Sequence, residues 1–237
     1  MKSPTPRGSV VILISGRGGN MRALIERSRD AGAPYAVSKV FSDQADAAGL
    51  DLARGLGVPA EALNPAAAAN RADASTRAGA STRAEARAAY DAVLAAAVKE
   101  CSPSLVVLAG FMRILSAQFV AEFAGKMLNI HPSLLPKYPG LHTHRRALQA
   151  RDPEHGATVH FVTEELDGGP PVIQARVRVT AADDEQSLAA RVQTMEHRIY
   201  PLAVQWYCQG RLRYADGRAW LDGRELNEPV QFTGAEG

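Results

Sequence analysis

The sequence predicts an α/β fold: an open, mostly parallel, twisted sheet with helices on both faces, in a single domain. Three observations predict it. Val10 to Ser15, VVILIS, is a short, continuous, largely β-branched run that ends in a Gly cluster, the signature of a strand buried on both faces. Strand-like and helix-like segments then alternate as β-α-β-α-β as far as Leu63, which implies right-handed crossovers packed on a sheet. Finally, 237 residues of which 46% are hydrophobic and 22% charged are enough for one sizeable core and resemble neither a disordered chain nor a coiled coil.

The elements follow in order. After the first strand, NMRALIERSRDAG places Met21, Leu24, Ile25 and Ser28 at helical spacing, with Asn20 as the expected N-cap and Gly32 as the stop. A strand from Val37 to Ser42, a helix in DQADAAGLDLARGLG and a short strand in VPAEAL come next. Residues 66–84 are Ala-rich, repeat the tetrapeptide STRA and carry no large apolar residue to dock them, so they read as an insertion in a mobile or frayed state. From Glu85 to Cys101 a helix sets Tyr90, Val93, Leu94, Ala97 and Val98 on one face. SLVVLAGF is a buried strand, SAQFVAEFAG a helix capped by Ser116, and MLNIH another strand. GATVHFVT and GGPPVIQARVRV are two more strands, Asp184 to Gln209 is a long closing helix, and RYADGRAWLDGREL is a hairpin turning at Asp222-Gly223.

Charge and composition narrow the function classes. Twenty-seven basic residues against 25 acidic ones leave a net charge of +2, too balanced to argue for nucleic acid. Cys101 and Cys208 have no ligand or CxxC spacing and read as reduced, buried thiols. Apolar runs such as Val10–Ile14 and SLVVLAGFM are too short for a signal-peptide core or a membrane span, so the expectation is a cytoplasmic protein without a membrane partner.

Three stretches carry chemistry. The first strand runs through SGRGGN (Ser15 to Asn20) straight into a helix, and such a turn offers unpaired N–H groups to an anion at the carboxyl end of a strand. It is neither a dinucleotide fingerprint, which needs a Gly at Met21, nor a Walker A loop; plain turn chemistry is the competing reading. Asn129 and His131 lie two apart on a strand, hence on one face, and Pro132 ends that strand beside them. Their N–H groups suit a developing oxyanion, while a pair of satisfied core polar residues is an equally good account of the spacing. Asp167, before Gly168 and Gly169, is either an Asp-Gly turn or a carboxylate that orients a His ring and favours its protonated form. His142, His144 and His155 lack a further ligand at metal spacing, so no metal site is expected, and His160 and His197 read as structural.

Taken together, NIHPSLLPKYPGLHTHRRAL, HGATVHFVTEELDGGPPVIQ and LAGFMRILS resemble the phosphoribosylglycinamide formyltransferases, and the match runs in one order from about Val10 to Leu221. The resemblance implies a Rossmann-like fold and a catalytic set of Asn129, His131 and Asp167. It implies a ribosyl-phosphate site at Gly18, Gly19 and Asn20, with Glu196 on the substrate's ribose. It implies a folate pocket lined by Met112, Arg113, Ile114 and Leu115 and by the loop Thr163, Glu164, Glu165, Leu166 and Asp167, with Asn129 also in reach and Arg87 matching a folate-contacting Arg just after the insertion. Arg17 and Gly19 depart from the small or polar residues usual in the loop, and GGPPV carries a second Pro.

The reaction so implied moves the formyl group of 10-formyltetrahydrofolate, a co-substrate, to the amine of 5-phosphoribosylglycinamide, without a metal. Asn129 and a protonated His131 would stabilise the oxyanion, with Asp167 holding the imidazolium. The expected organisation is one domain, with a phosphate-binding half at about 8–110, a catalytic and folate-binding half at about 111–209, and a tail at 210–237. Methionyl-tRNA formyltransferases and formyltetrahydrofolate hydrolases share the catalytic set, but each carries an additional domain for which the chain is expected to have no room. A non-catalytic nucleotide-binding module is the rival from another class. Monomer and homodimer are both compatible with the sequence.

Overall fold

The first strand, β1 (Gly8–Ile14), is the centre of the amino-terminal unit: Val10 to Ile14 are all fully buried, so both faces of the strand are covered. The computed structural model describes residues 7–64 and 83–233. It divides into two compact units, Met1–Met127 and Leu128–Gly237, and the division falls within β5 (Met127–His131). In the first unit the strands hydrogen-bond in the order β4-β1-β2-β3, with β2 at Tyr35–Ser42, β3 at Ala60–Ala62 and β4 at Leu105–Leu108. Every one of these pairings is parallel. Parallel neighbours need crossovers, and the helices α1 (Gly19–Arg27), α2 (Ala48–Gly55) and α3 (Arg83–Glu100) lie between the strands in sequence, as the alternation predicts.

Local chemistry explains most boundaries. The N-cap of α1 is Gly18 and not Asn20, because Gly18 takes a left-handed conformation (φ 78°) at no steric cost and starts the helix two residues earlier. In α3 the buried face carries Tyr90, Leu94, Ala97 and Val98 as expected, joined by Asp91 and Ala95, whereas Val93, expected on the same face, is half-buried. Ser116 caps α4 (Ala117–Glu122) by accepting the Phe119 N–H. Of the expected insertion, residues 66–82 lie outside the described residues.

The second unit has the strand order β11-β7-β6-β5, with β5 at Met127–His131, β6 at Glu154–Phe161, β7 at Pro171–Arg178 and β11 at Val230–Gln231. Here β5–β6 and β6–β7 are antiparallel and only β7–β11 is parallel. Over both units these four parallel and two antiparallel pairings make a mixed, mostly parallel sheet, within the α/β class expected. Helix α5 (Thr143–Ala150) has no counterpart among the predicted elements: it starts at His142 and stops at Arg151, both left-handed, and no side chain caps it. The long α6 (Glu185–Cys208) opens on a capping box between Asp184 and Ser187 and packs on β6 and β7. The tail makes a separate antiparallel sheet, β10-β9-β8, from Leu212–Ala215, Arg218–Leu221 and Arg224–Glu225. It has two Asp-Gly turns, at Asp216-Gly217 and at the expected Asp222-Gly223, each with positive φ at both residues.

Gly156 shows how tightly β6 and β7 approach, since a Cβ there would run into the Ala175 carbonyl oxygen and lie 2.8 Å from the Leu134 side chain. Gly156→Ala is therefore expected to lower stability by about 1–3 kcal/mol, as overpacking does. Chemical denaturation of the two proteins checks this, and equal midpoints would mean that the strands yield without cost.

Candidate active site

Each unit places its candidate residues at strand ends. In the first, the Gly-rich loop follows β1, and Gly18 and Gly19 open α1 with Asn20 in its first turn. No side chain caps this helix and no acidic residue sits in its first turn, so the loop's backbone amides meet no competing carboxylate there. Gly49, at the start of α2, donates its N–H to the Gly16 carbonyl at 3.0 Å, and a Cβ on it would lie 2.8 Å from that oxygen. Only glycine lets α2 press on the loop this closely. The hydroxyl of Ser15 accepts the Met112 N–H at 2.8 Å and so ties the end of β1 to the segment after β4. In that segment Met112 and Ile114 are exposed (67% and 58%), whereas Arg113 turns inward, its guanidinium 4.3 Å from the Tyr90 ring centroid. Within 112–115, then, Arg113 faces the protein while Met112 and Ile114 face out. Arg87 is an exposed residue of α3.

In the second unit β5 carries Asn129 and His131 side by side, and the chain returns Asp167 to them. Asp167 is left-handed (φ 53°), an unusual state for a residue with a side chain, and its carboxylate is nearly buried. The two glycines after it have a reason beyond turn propensity: a Cβ on Gly169 would run into the Phe161 carbonyl oxygen. Asp167 Oδ2 accepts the Gly140 N–H at 2.8 Å and lies 3.4 Å from His131 Nδ1. On the other side of the ring, His131 Nε2–H donates to the Tyr138 carbonyl at 2.9 Å. Both ring nitrogens therefore face acceptors, an arrangement suited to a ring that carries both protons.

The structure adds a residue that the sequence reading set aside as structural. His160, opposite Asn129 on β6, receives the Asn129 Nδ2–H at Nε2, 3.1 Å away, and donates Nδ1–H to the Phe161 carbonyl at 2.9 Å. That tautomer is neutral, and burial pushes His160 down to about 4. It fixes which way the Asn129 amide points and leaves that amide one more N–H. Its Nε2 is 3.8 Å from Asp167 Oδ1, so Asn129, His131, His160 and Asp167 form one cluster. Spacing along the chain gave no signal for it, because the pairing spans 31 residues and depends on the β5–β6 register.

The remaining candidates are more dispersed. Glu196 is buried on α6. Thr163 is half-buried, while Glu164, Glu165 and Leu166 are exposed in the loop that ends at Asp167. His144 Nδ1 and His155 Nε2 share a hydrogen bond at 3.1 Å, and among the described residues no three His, Cys, Asp or Glu are placed to hold a metal ion.

Residues 9–204 match the formyl transferase family. The chain belongs to that family. It is 49% identical over 218 residues to the phosphoribosylglycinamide formyltransferase of Escherichia coli, covering 92% of this chain and 95% of the relative. It is 41% identical to the Haemophilus influenzae protein of the same name over 92% of this chain and 95% of that one. Among solved structures, the Coxiella burnetii phosphoribosylglycinamide formyltransferase superposes with a TM-score of 0.84 at 38% identity, over 96% of this chain and all of that one. The match to the formyl transferase family includes the Gly-rich loop, the segment after β4 and the β5–β6 cluster alike.

Two outcomes test this geometry. Replacing His160 by Leu is expected to free the Asn129 amide and lower turnover by about tenfold, less than the roughly 10²–10³ attributed to removing one positioned donor outright, because the donor is only released; unchanged turnover would show that Asn129 needs no partner. The second concerns pH. Burial is the main cause that lowers His155 from the usual 6.5 to about 4, with the neighbouring His144 and His131 adding to it against Asp152. His144 is lowered as well, again chiefly by burial. Both rings stay neutral in the folded chain where the unfolded chain takes up protons. The contribution of His155 to stability is complete above about pH 6.5 and is lost as pH falls from there through about 4, and His144 acts in the same direction. Melting temperatures should fall across that window, and His155→Gln should flatten the slope; a slope unaltered by the substitution would assign the acid sensitivity to other groups.

Proposed function

We propose that this chain transfers the formyl group of 10-formyltetrahydrofolate to the primary amine of 5-phosphoribosylglycinamide, a step of purine biosynthesis. The observation that carries the reading is the polar cluster at the end of β5, in which a neutral His160 orients Asn129 and Asp167 braces His131. The amine's lone pair attacks the formyl carbon, and the carbonyl electrons move to the formyl oxygen. The free N–H of Asn129 is the donor for that oxygen. His131 joins it by releasing the Tyr138 carbonyl and turning Nε2–H toward the oxyanion, while Asp167 retains the other nitrogen. The intermediate then collapses as the bond to folate N10 breaks. The proton lost by the amine is passed to N10, with Asp167 and His131 as the relay.

The reading extends to both ligands. The amides at Gly18 and Gly19, with Asn20, receive the ribotide phosphate in the manner of helix N-termini, and Glu196 accepts from its ribose. Met112, Ile114, Leu115 and the loop 163–167 contact the folate, with Arg87 near its acidic end. We assign the reaction to the cytoplasm, as for a bacterial enzyme of purine biosynthesis; no helix among the described residues is long and apolar enough to cross a membrane.

Purified protein is expected to formylate the ribotide from 10-formyltetrahydrofolate at a rate unchanged by excess chelator. Asp167→Asn should fold and still bind the ribotide while kcat falls by about 10², the low end for a positioned acid-base group. Release of formate at an equal rate without the ribotide would replace this reading by a hydrolase, and absence of both reactions would leave a binding module.

A further inference from the structure

The segment Met112–Ser116 follows β4 but belongs to no helix or strand, so side chains hold it instead of a backbone ladder. It has three anchors. Ser15 Oγ accepts the Met112 N–H at 2.8 Å, the Tyr90 ring lies under the Arg113 guanidinium at 4.3 Å, and Asp91 Oδ2 accepts the Ser116 N–H at 2.5 Å. Two of the three come from adjacent residues of α3. Tyr90 and Asp91 are 3% and 1% exposed, yet among the described residues the Tyr90 hydroxyl, Asp91 Oδ1 and Arg113 Nε have no hydrogen-bond partner. Buried polar atoms without partners are costly, and apolar residues of the same volume would pack α3 against α4 without that cost. What this arrangement does provide is a charged side chain held inward at Arg113. On an extended segment the residues on either side then point the other way, which is where Met112 and Ile114 are found, each more than half exposed.

We propose that Tyr90 and Asp91 are positioning residues for the formyl folate, acting through Arg113 to present Met112 and Ile114 to it. The inference rests on the reading above that this segment contacts the folate. The Tyr90 ring face supplies cation–π attraction in a site sheltered from water, where it is stronger than at a surface. Asp91 supplies the compensating charge and fixes the far end of the segment at Ser116. Neither residue touches substrate, so their effect should appear in folate binding and not in the chemical step.

The test measures kcat and both KM values, together with melting temperature, for Tyr90→Phe, Tyr90→Leu and Asp91→Asn. Tyr90→Phe keeps the ring and loses only an unpartnered hydroxyl, so it should match the wild type. Tyr90→Leu should raise the folate KM by about tenfold while kcat and the ribotide KM stay within about twofold, the pattern of lost uniform binding. Asp91→Asn retains an acceptor for Ser116 but not the charge, and should move the folate KM in the same direction; it carries the test if Tyr90→Leu does not fold. An unmoved folate KM in the folded variants, a Tyr90→Phe as impaired as Tyr90→Leu, or a loss shared by kcat and both KM values would overturn the inference. So would failure of both Tyr90→Leu and Asp91→Asn to fold, which would make the pair structural. A wild-type protein without formyl transfer would defeat the functional reading itself, and this inference with it; an active wild type with unmoved folate KM defeats the inference alone.

Discussion

The bond between the Asp167 carboxylate and the Gly140 amide is the constraint on which the second unit's chemistry depends. It joins two loops that otherwise share no secondary structure, one ending at Asp167 and one running from Pro132 to His142. The second loop supplies the Tyr138 carbonyl to His131, so the same loop that is fixed by Asp167 also fixes the ring that Asp167 faces. Further contacts stiffen it: Tyr138 donates its hydroxyl to Asp152, and Arg146 lies over the Tyr138 ring and donates to the Pro139 carbonyl. A left-handed Asp167 and a left-handed Tyr138 are tolerated because these bonds over-determine the backbone. Strain and preorganisation are here two descriptions of one arrangement.

The two carboxyl-end sites solve different electrostatic problems. The loop after β1 keeps its helix terminus clear of acidic side chains, which leaves amide dipoles for an anion. The cluster after β5 concentrates ionisable groups and then differentiates them by environment. His160 is deep enough that its ring is kept neutral, whereas His131 lies between a carboxylate and a carbonyl. A single strand pair thus holds one imidazole as a fixed acceptor for Asn129 and sets another between two acceptors.

What was legible in the sequence was whatever is decided locally. The buried β1, the MLNIH strand and the Ser116 cap each follow from a short stretch of residues. The fold class and the trio Asn129, His131 and Asp167 were legible too, the trio only when three stretches were taken together. Features set by long-range geometry were not. Helix α5 begins and ends on left-handed residues that propensity does not favour, so nothing in THRRALQA marks its limits. The antiparallel course of β6 and β7 is invisible in GATVHFVT and GGPPVIQARVRV, because each reads as a strand by itself and its direction is set by the partners it meets across the sheet. His160 owes its place to cross-strand register, and the inward turn of Arg113 to an aromatic ring more than twenty positions earlier.

An open sheet, unlike a closed barrel, ends in strands whose outward N–H and C=O groups can recruit another chain. The tail of this protein deals with one such border. Only Ile173 and Gln174 of β7 are matched by β11, and the Phe232 N–H adds one more bond to Gln174. Beyond that short cover the strand carries Arg176 and Arg178, the first already engaged by Glu154 and Gln231. A stray strand approaching this border would meet a side it can pair with for only a few residues, next to guanidinium groups that it would have to desolvate. Two residues of β11 and two arginines therefore leave this border little that another strand could pair with.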